Sequence, residues 1–154
     1  MKVIKAILGG SVALGLGLGL FLPLTRRVQA DPDSPVPAVL QAGFTLYSSG
    51  GADAAVLAWR KGGPLEGDGR AAEQTDGLKQ MEHPLGNYKS FEMIETREIG
   101  KTSRILFCSL NFGRGAVFAS FQMYRATKDW VVQDMEFDTK PEAIMPWLTS
   151  VEAK

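Results

Sequence analysis

The sequence predicts an α+β domain in which helices come first and a four-stranded antiparallel sheet follows. Apolar residues recur at helical spacing in the first half of the chain, and from Gly86 onward they follow the period of strands. The strand-like segments are separated by turns of only a few residues, which requires antiparallel neighbours. Helices followed by a meander of strands are typical of a sheet that is covered by helices on one face.

The helical half divides into three segments with their own stop signals. The first runs from Val36 to Tyr47 and ends at Gly50 and Gly51. Asp53 can cap a second helix through Trp59, which is closed by a Gly-Gly-Pro run. A third helix is predicted over residues 70–82. It is weaker than the first two because Gly77 lies inside it, and glycine has a low helix propensity.

Four strands and a short closing helix complete the predicted order. The strands are expected within residues 87–100, 101–112, 116–125 and 129–138. After them, the segment from Thr139 to Glu142 has the layout of a capping box with an early proline. We therefore expect a brief helix through Ile144 that ends before Pro146.

The first thirty residues have the layout of a secretory signal. Basic residues precede an apolar run over residues 6–24, and Val28 and Ala30 stand at the positions that signal peptidase reads. We expect export to the periplasm or the medium, with removal of residues 1–30. The alternative is a retained membrane anchor, because the apolar run approaches the ~20 residues that span a bilayer.

The rest of the chain is the size of one domain. It divides into a proline-rich linker over residues 31–35, a domain over residues 36–149 and a tail over residues 150–154. Loss of the leader leaves 13 Lys and Arg against 17 Asp and Glu, so nucleic acid is not expected as a partner.

The low number of cysteine and histidine residues excludes several kinds of site. Cys108 is the only cysteine and His83 the only histidine, so an intrachain disulfide and a zinc site built from these residues are excluded. Cys108 lies inside an apolar strand, which favours a buried and inert thiol over a nucleophile. No metal or phosphate motif is recognised either, and we expect no cofactor.

The chain resembles exported members of the nuclear-transport-factor-2-like superfamily, also called cystatin-like or SnoaL-like. The resemblance covers residues 36–147 and rests on three stretches: AGFTLYSSGGADAAVLAW, YRATKDWVVQDMEFDT and KPEAIMP. It implies a strongly curved sheet wrapped around helices as a cone, and pairing of two copies through their sheets. The superfamily includes isomerases, cyclases, dehydratases and proteins without known chemistry, so the fold does not choose a function.

The lengths of two hairpin loops predict which side chains share a face of the sheet. With a three-residue loop at Gly113–Gly115, Phe107 lies opposite Phe121, and the next turn places Phe121 opposite Asp134. The first face is mostly apolar and carries Leu106, Cys108, Leu110, Phe112, Phe118, Val131, Met135 and Phe137, with Ser120, Gln122 and Gln133 in its middle. The second face is apolar at one end and polar at the other, and carries Ile105, Phe107, Phe121, Met123, Trp130, Val132, Ser109, Asn111, Asp134, Glu136 and Asp138. This second face is a pocket, a dimer surface or partly open to solvent.

Aromatic rings with polar groups and carboxylates beside apolar walls are the candidate ligand-binding groups. The candidates are Trp59, Tyr88, Phe121, Tyr124, Trp130, Asp134 and Glu136. Packing of helices on the sheet explains the rings equally well, and a solvated strand end explains the carboxylates. We also expect Arg125 to lie over Trp130 as a cation–π pair.

Two functions are compatible with these residues. The first is a noncatalytic exported binding or assembly module that holds a small apolar ligand or a partner protein of the cell envelope. The alternative is a small lyase or isomerase, with Asp134 or Glu136 as general base and Tyr88 or Tyr124 as hydrogen-bond donor to an oxyanion. A closed apolar pocket around Asp134 would favour chemistry, whereas an open strand edge would favour binding alone.

Overall fold

The computed structural model describes residues 35–151 as helices packed on an antiparallel sheet. Its elements are α1 (Ala38–Arg60), α2 (Ala71–Glu82), a 3-10 turn (His83–Leu85), β1 (Tyr88–Glu98), β2 (Ser103–Phe112), β3 (Ala116–Tyr124), β4 (Val131–Asp138), α3 (Pro141–Ile144) and a 3-10 segment (Pro146–Val151). The strands lie in the order β1-β2-β3-β4. The predicted α+β class, the four-stranded meander and the short closing helix are confirmed.

The predicted leader, the alternative membrane anchor and most of the linker lie outside the described residues. Within residues 35–151, no helix has the length and apolar character needed to cross a membrane. Residues 152–154 of the predicted tail also lie outside the described residues.

Helix α1 is bent at Gly51, where the sequence predicts the boundary between two helices. Gly51 has φ 69° and ψ −164°, a conformation that glycine adopts without steric cost. Residues 38–50 and 52–60 are therefore two helical arms joined at one residue. The bend turns the second arm back against the first.

A tryptophan–glycine contact holds the two arms together. The Trp59 indole lies so close to Gly43 that a Cβ atom on residue 43 would be 2.0 Å from Trp59 Nε1. The same Nε1–H donates a hydrogen bond of 3.1 Å to the carbonyl oxygen of Leu40. Trp59 is completely buried, so its polar group is satisfied inside the core.

The two arms of α1 present aromatic rings to the sheet. Phe44 stacks on Phe91 of β1 with ring centroids 3.9 Å apart, and Trp59 meets Phe121 of β3 edge to face at 5.0 Å. Cys108 is fully buried in the same cluster. Burial raises the pKa of its thiol to about 12, so the neutral form persists in the folded protein.

The predicted pairing of β2 with β3 is wrong by one residue. The loop contains two residues rather than three, because the Phe112 N–H donates to the Gly115 carbonyl oxygen at 2.8 Å. Leu106 consequently lies opposite Phe121, and Phe107 lies opposite Ser120. Because side chains alternate between faces along a strand, one residue fewer in this loop moves every side chain of β3 to the other face.

A second shift of one residue occurs between β3 and β4. Met123 pairs with Val132 and Gln122 pairs with Asp134, so Gln133 is an extra residue of the kind found in β-bulges. Phe121 therefore lies opposite Met135. The loop lengths had predicted Asp134 at this position, so the predicted pairing is wrong by one residue.

The two shifts exchange the faces of β3 but leave most of β4 where it was predicted. The helix-facing side gains Phe121 and Met123 from β3 and Val132 from the start of β4. It loses Phe118, Ser120 and Gln122, which share the second face with Ile105, Phe107, Asp134, Glu136 and Asp138. The helix-facing side is thereby uniformly apolar along β3.

The C-terminal elements cover part of the second face. Ile144 and Met145 are buried against Phe107 in a cluster separate from the main core. Trp147 of the 3-10 segment meets the Phe107 ring edge to face at 4.8 Å. The Arg97 guanidinium lies 3.4 Å from the centre of the Trp147 ring, so a cation–π contact closes this end of the cover.

Replacing Gly43 by alanine tests the tryptophan–glycine contact. We expect Gly43→Ala to lower the free energy of unfolding by about 2 to 3 kcal/mol, because a Cβ atom would collide with the rigid Trp59 ring. Urea denaturation followed by circular dichroism measures the change.

Gly77→Ala is the matched control, since Gly77 lies inside α2 with no atom within 4 Å of an added Cβ. There the same substitution should raise the free energy of unfolding by about 0.5 to 1 kcal/mol through helix propensity alone. Equal effects at the two glycines would show that Trp59 is not held on Gly43.

The burial of Cys108 predicts that its thiol reacts slowly with labelling reagents in the folded protein. In the native protein, an aromatic disulfide reagent should label Cys108 about a thousandfold or more slowly than in denaturant, because labelling requires unfolding. The absorbance of the released thiolate gives both rates. Rapid native labelling would place Cys108 at the surface and contradict the register.

Candidate functional site

The surface formed by residues 35–151 includes the following three cavities. The first, called the arginine cavity, has a volume of about 520 Å³ and is lined by Glu98, Ile99, Gly100, Lys101, Arg104, Arg125 and Trp130. The second, the tyrosine cavity, has a volume of about 680 Å³ and lies where α1, the 3-10 turn and β1 meet. The third is a groove of about 420 Å³ beside the bend of α1, with the exposed side chains Leu46 and Leu57 on its wall.

The arginine cavity is built by two neighbouring turns of the sheet. Residues 99–102 connect β1 to β2, and residues 125–130 connect β3 to β4. The Arg125 N–H donates to the Thr102 carbonyl oxygen at 2.8 Å, which ties the second turn to the first. The Arg125 Nη2 group also donates to the Lys101 carbonyl oxygen at 3.4 Å. The cavity walls are therefore fixed by backbone contacts.

Arg104 is a buried cation at the start of β2. It lies opposite Glu98 of β1 and Met123 of β3, and its place in the strand puts it in phase with the core residues Leu106 and Cys108. Only 8% of its surface is exposed. Its guanidinium carbon lies 4.1 Å from the centre of the Trp130 ring, and that of Arg125 lies 4.8 Å from the same ring. The predicted pairing of Arg125 with Trp130 is therefore observed.

Three buried N–H groups of the cavity residues have no hydrogen-bond acceptor among the described residues. They are Nε and Nη2 of Arg104 and Nε1 of Trp130. Nε and Nη2 form one edge of the planar guanidinium, the edge that can bind two oxygens of a carboxylate or phosphate side by side. All three groups are donors, so only a hydrogen-bond acceptor can satisfy them.

The charges around Arg104 do not balance. The Glu98 carboxylate lies 3.8 Å from Arg104 Nη1, but its side chain is mostly exposed. Burial lowers the pKa of the Arg104 guanidinium from its ordinary value, Glu98 opposes this effect, and Arg125 adds to it. With Lys101 included, three cations face one carboxylate in the lining. A buried cation with so little compensation costs free energy in the folded state.

The tyrosine cavity contains a tyrosine–carboxylate hydrogen bond and a stacked pair of tyrosine rings. The Tyr47 hydroxyl donates to the Glu82 carboxylate, and the Tyr88 ring stacks on Tyr47 with centroids 4.4 Å apart. Burial, and then the hydrogen bond to Glu82, raise the pKa of Tyr47, while burial raises the pKa of Tyr88 to about 12. Both phenols stay protonated at neutral pH, which suits a structural link between α1 and α2.

The candidate residues predicted from the sequence do not converge on one cavity. Trp59 and Phe121 are buried core rings that touch each other, Tyr88 lines the tyrosine cavity and Trp130 lines the arginine cavity. Tyr124 is half-buried opposite Val131.

The two predicted carboxylates lie on β4, a strand at the edge of the sheet. Asp134 is half-buried and accepts a hydrogen bond of 3.0 Å from the Met135 N–H. Glu136 is exposed opposite Ser120. Neither lines one of the three cavities described above. Within residues 35–151, no group of three or more His, Cys, Asp and Glu side chains is arranged to hold a metal ion.

Arg104 is the site residue that the sequence prediction missed. The signal was available, because Arg104 stands two residues before Leu106 and four before Cys108, on a strand face whose other residues are apolar. A charged residue in phase with core positions is an unusual feature that often marks a site.

Comparison of the chain with models of protein families, with curated proteins and with solved structures found no significant match.

Replacing Arg104 by methionine tests whether the buried cation stabilises the fold. We expect Arg104→Met to raise the free energy of unfolding by about 1 to 2 kcal/mol, because a similar apolar volume replaces a buried guanidinium in which two nitrogens have no hydrogen-bond partner. Urea denaturation measures the change. Arg114→Met, on the exposed turn between β2 and β3, is the control and should change stability by about 0.5 kcal/mol or less. A clear loss of stability in Arg104→Met would make Arg104 a structural residue.

Proposed function

We propose that the chain is an exported, noncatalytic binding module that holds an anionic ligand in the arginine cavity. The unpaired Nε and Nη2 edge of Arg104 carries this proposal. Because an uncompensated buried cation destabilises a fold, its presence is best explained by a ligand that supplies the missing acceptors. The size of the cavity, about 520 Å³, lies within the range of small-molecule sites.

Binding without chemistry is favoured by the position of the carboxylates. Asp134 and Glu136 lie on an edge strand, which is the arrangement expected of a binding protein rather than of a general base in a closed pocket. An apolar ligand inside the fold is less well supported, since Phe44, Trp59 and Phe121 fill the space between α1 and the sheet.

The resemblance to the nuclear-transport-factor-2-like superfamily extends this proposal to the shape of the sheet and the oligomeric state. The sheet would form a cone around α1 and α2, and export would follow removal of residues 1–30. A homodimer would use the part of the second face that α3 and the 3-10 segment leave open. The arginine cavity lies at the turns of the sheet and would remain accessible in such a dimer.

A thermal-shift comparison at constant ionic strength tests the proposed function. Sulfate and benzoate, each exchanged for chloride, should raise the Tm of the wild-type protein. At tenfold excess over Kd, binding stabilises the fold by about 1.4 kcal/mol, which raises Tm by about 4 °C in a domain of this size. Arg104→Met should lose this response, and Arg114→Met should keep it.

Glu98→Gln should change the Tm response in the direction opposite to Arg104→Met, because the variant removes the carboxylate that competes with the anion for Arg104. Its Tm response to either anion should exceed that of the wild type. If the wild type and Arg104→Met respond alike to both anions, the effect is a general salt effect and the arginine cavity is not a binding site.

A further inference from the structure

We infer that the ligand of the arginine cavity is an organic phosphate monoester, with its phosphate on Arg104 and Arg125 and its organic group against Ile99. This inference rests on the proposed function and adds the chemical class of the ligand. Three features of the cavity carry it: its charge, its donors and its one exposed apolar wall.

The charge of the lining selects for a doubly negative group. Arg104, Arg125 and Lys101 oppose the single carboxylate of Glu98. Two positive charges therefore remain for the ligand to neutralise. A phosphate monoester carries between one and a half and two negative charges at pH 7, whereas a carboxylate or a phosphate diester carries one.

The buried, unpaired donors of the residues that line the cavity belong to more than one side chain. Arg104 contributes Nε and Nη2, and Trp130 contributes Nε1, all without an acceptor among residues 35–151. The Arg125 guanidinium lies on the same indole ring, 4.8 Å from its centre. Three terminal phosphate oxygens can accept from several side chains at once, whereas the two oxygens of a planar carboxylate are filled by one guanidinium edge.

An apolar side chain on the cavity wall indicates that the ligand is larger than inorganic phosphate. Ile99 is 65% exposed and lines the cavity beside Arg104 and Lys101. A volume of about 520 Å³ also leaves room beyond a single phosphate group. An organic group attached to the phosphate would cover Ile99 and gain from removing its surface from water.

Calorimetric titration with three matched probes tests the inference: hexyl phosphate, hexanoate and inorganic phosphate. Hexyl phosphate should bind about tenfold or more tightly than either of the others, because only it combines the dianion with an apolar group. Ile99→Ser should reduce the affinity for hexyl phosphate severalfold and leave that for inorganic phosphate unchanged.

Variants of the charged residues locate the site. Arg104→Gln and Arg125→Gln should each weaken hexyl phosphate about tenfold or more, Glu98→Gln should strengthen it, and Arg114→Gln should have no effect. Arg125→Gln serves as the second test because Arg125 is less buried than Arg104, so its loss perturbs the fold less. Circular dichroism confirms that each variant is folded.

Vesicles distinguish a lipid source of the phosphate from a soluble one. Flotation with phosphatidic acid vesicles that depends on Arg104, and is absent with phosphatidylglycerol, identifies a lipid monoester headgroup. Binding of hexyl phosphate without flotation identifies a soluble ester.

The three probes distinguish a failure of this inference from a failure of the proposed anion-binding function. If hexanoate binds as tightly as hexyl phosphate, the selection of a dianion is wrong and the anion-binding function stands. If inorganic phosphate equals hexyl phosphate, the organic group is not recognised and the inference is overturned. If none of the three probes binds, the inference and the proposed function fall together.

Discussion

The contact between Trp59 and Gly43 is the constraint on which the rest of the described fold depends. The bend at Gly51 would leave two short helical arms with no fixed angle, and arms of this length are marginal on their own. Trp59 locks them by lying where any side chain at position 43 would collide with it. The locked pair then presents Phe44 and Trp59 together to the sheet, so the aromatic core has one arrangement.

A filled core moves any binding site to the ends of the sheet. The rings of Phe44, Trp59 and Phe121 occupy the layer between α1 and β3, and the helix-facing side chains of the strands complete it. At the start of β2 the same face continues, but its next residue is Arg104 instead of an aliphatic one. The arginine cavity is thus the position where the core pattern is interrupted by a charge.

Element order could be predicted from the sequence because it depends on local signals. Gly51 marked the bend of α1, and the periodicity of residues 70–82 marked α2. Strand register could not be predicted in the same way, since one residue in the Gly113 loop exchanges the faces of a whole strand. The bulge at Gln133 shifts the pairing of β3 with β4 by one further residue. Loop lengths do not reveal this shift, because a bulge depends on how side chains pack across the strands.

The candidate site was missed for a related reason. A reading based on aromatic rings and carboxylates selects Trp59 and Phe121, whose chemistry is compatible with a ligand, but only the folded chain shows that these rings fill the core. Arg104 has the reverse character: its strand position is typical of core, and its charge is incompatible with core unless an acceptor is supplied. A conflict between the strand pattern and the residue type is therefore a stronger indicator of a site than the residue type alone. In this chain Arg104 combines that conflict with a position on the wall of an open cavity.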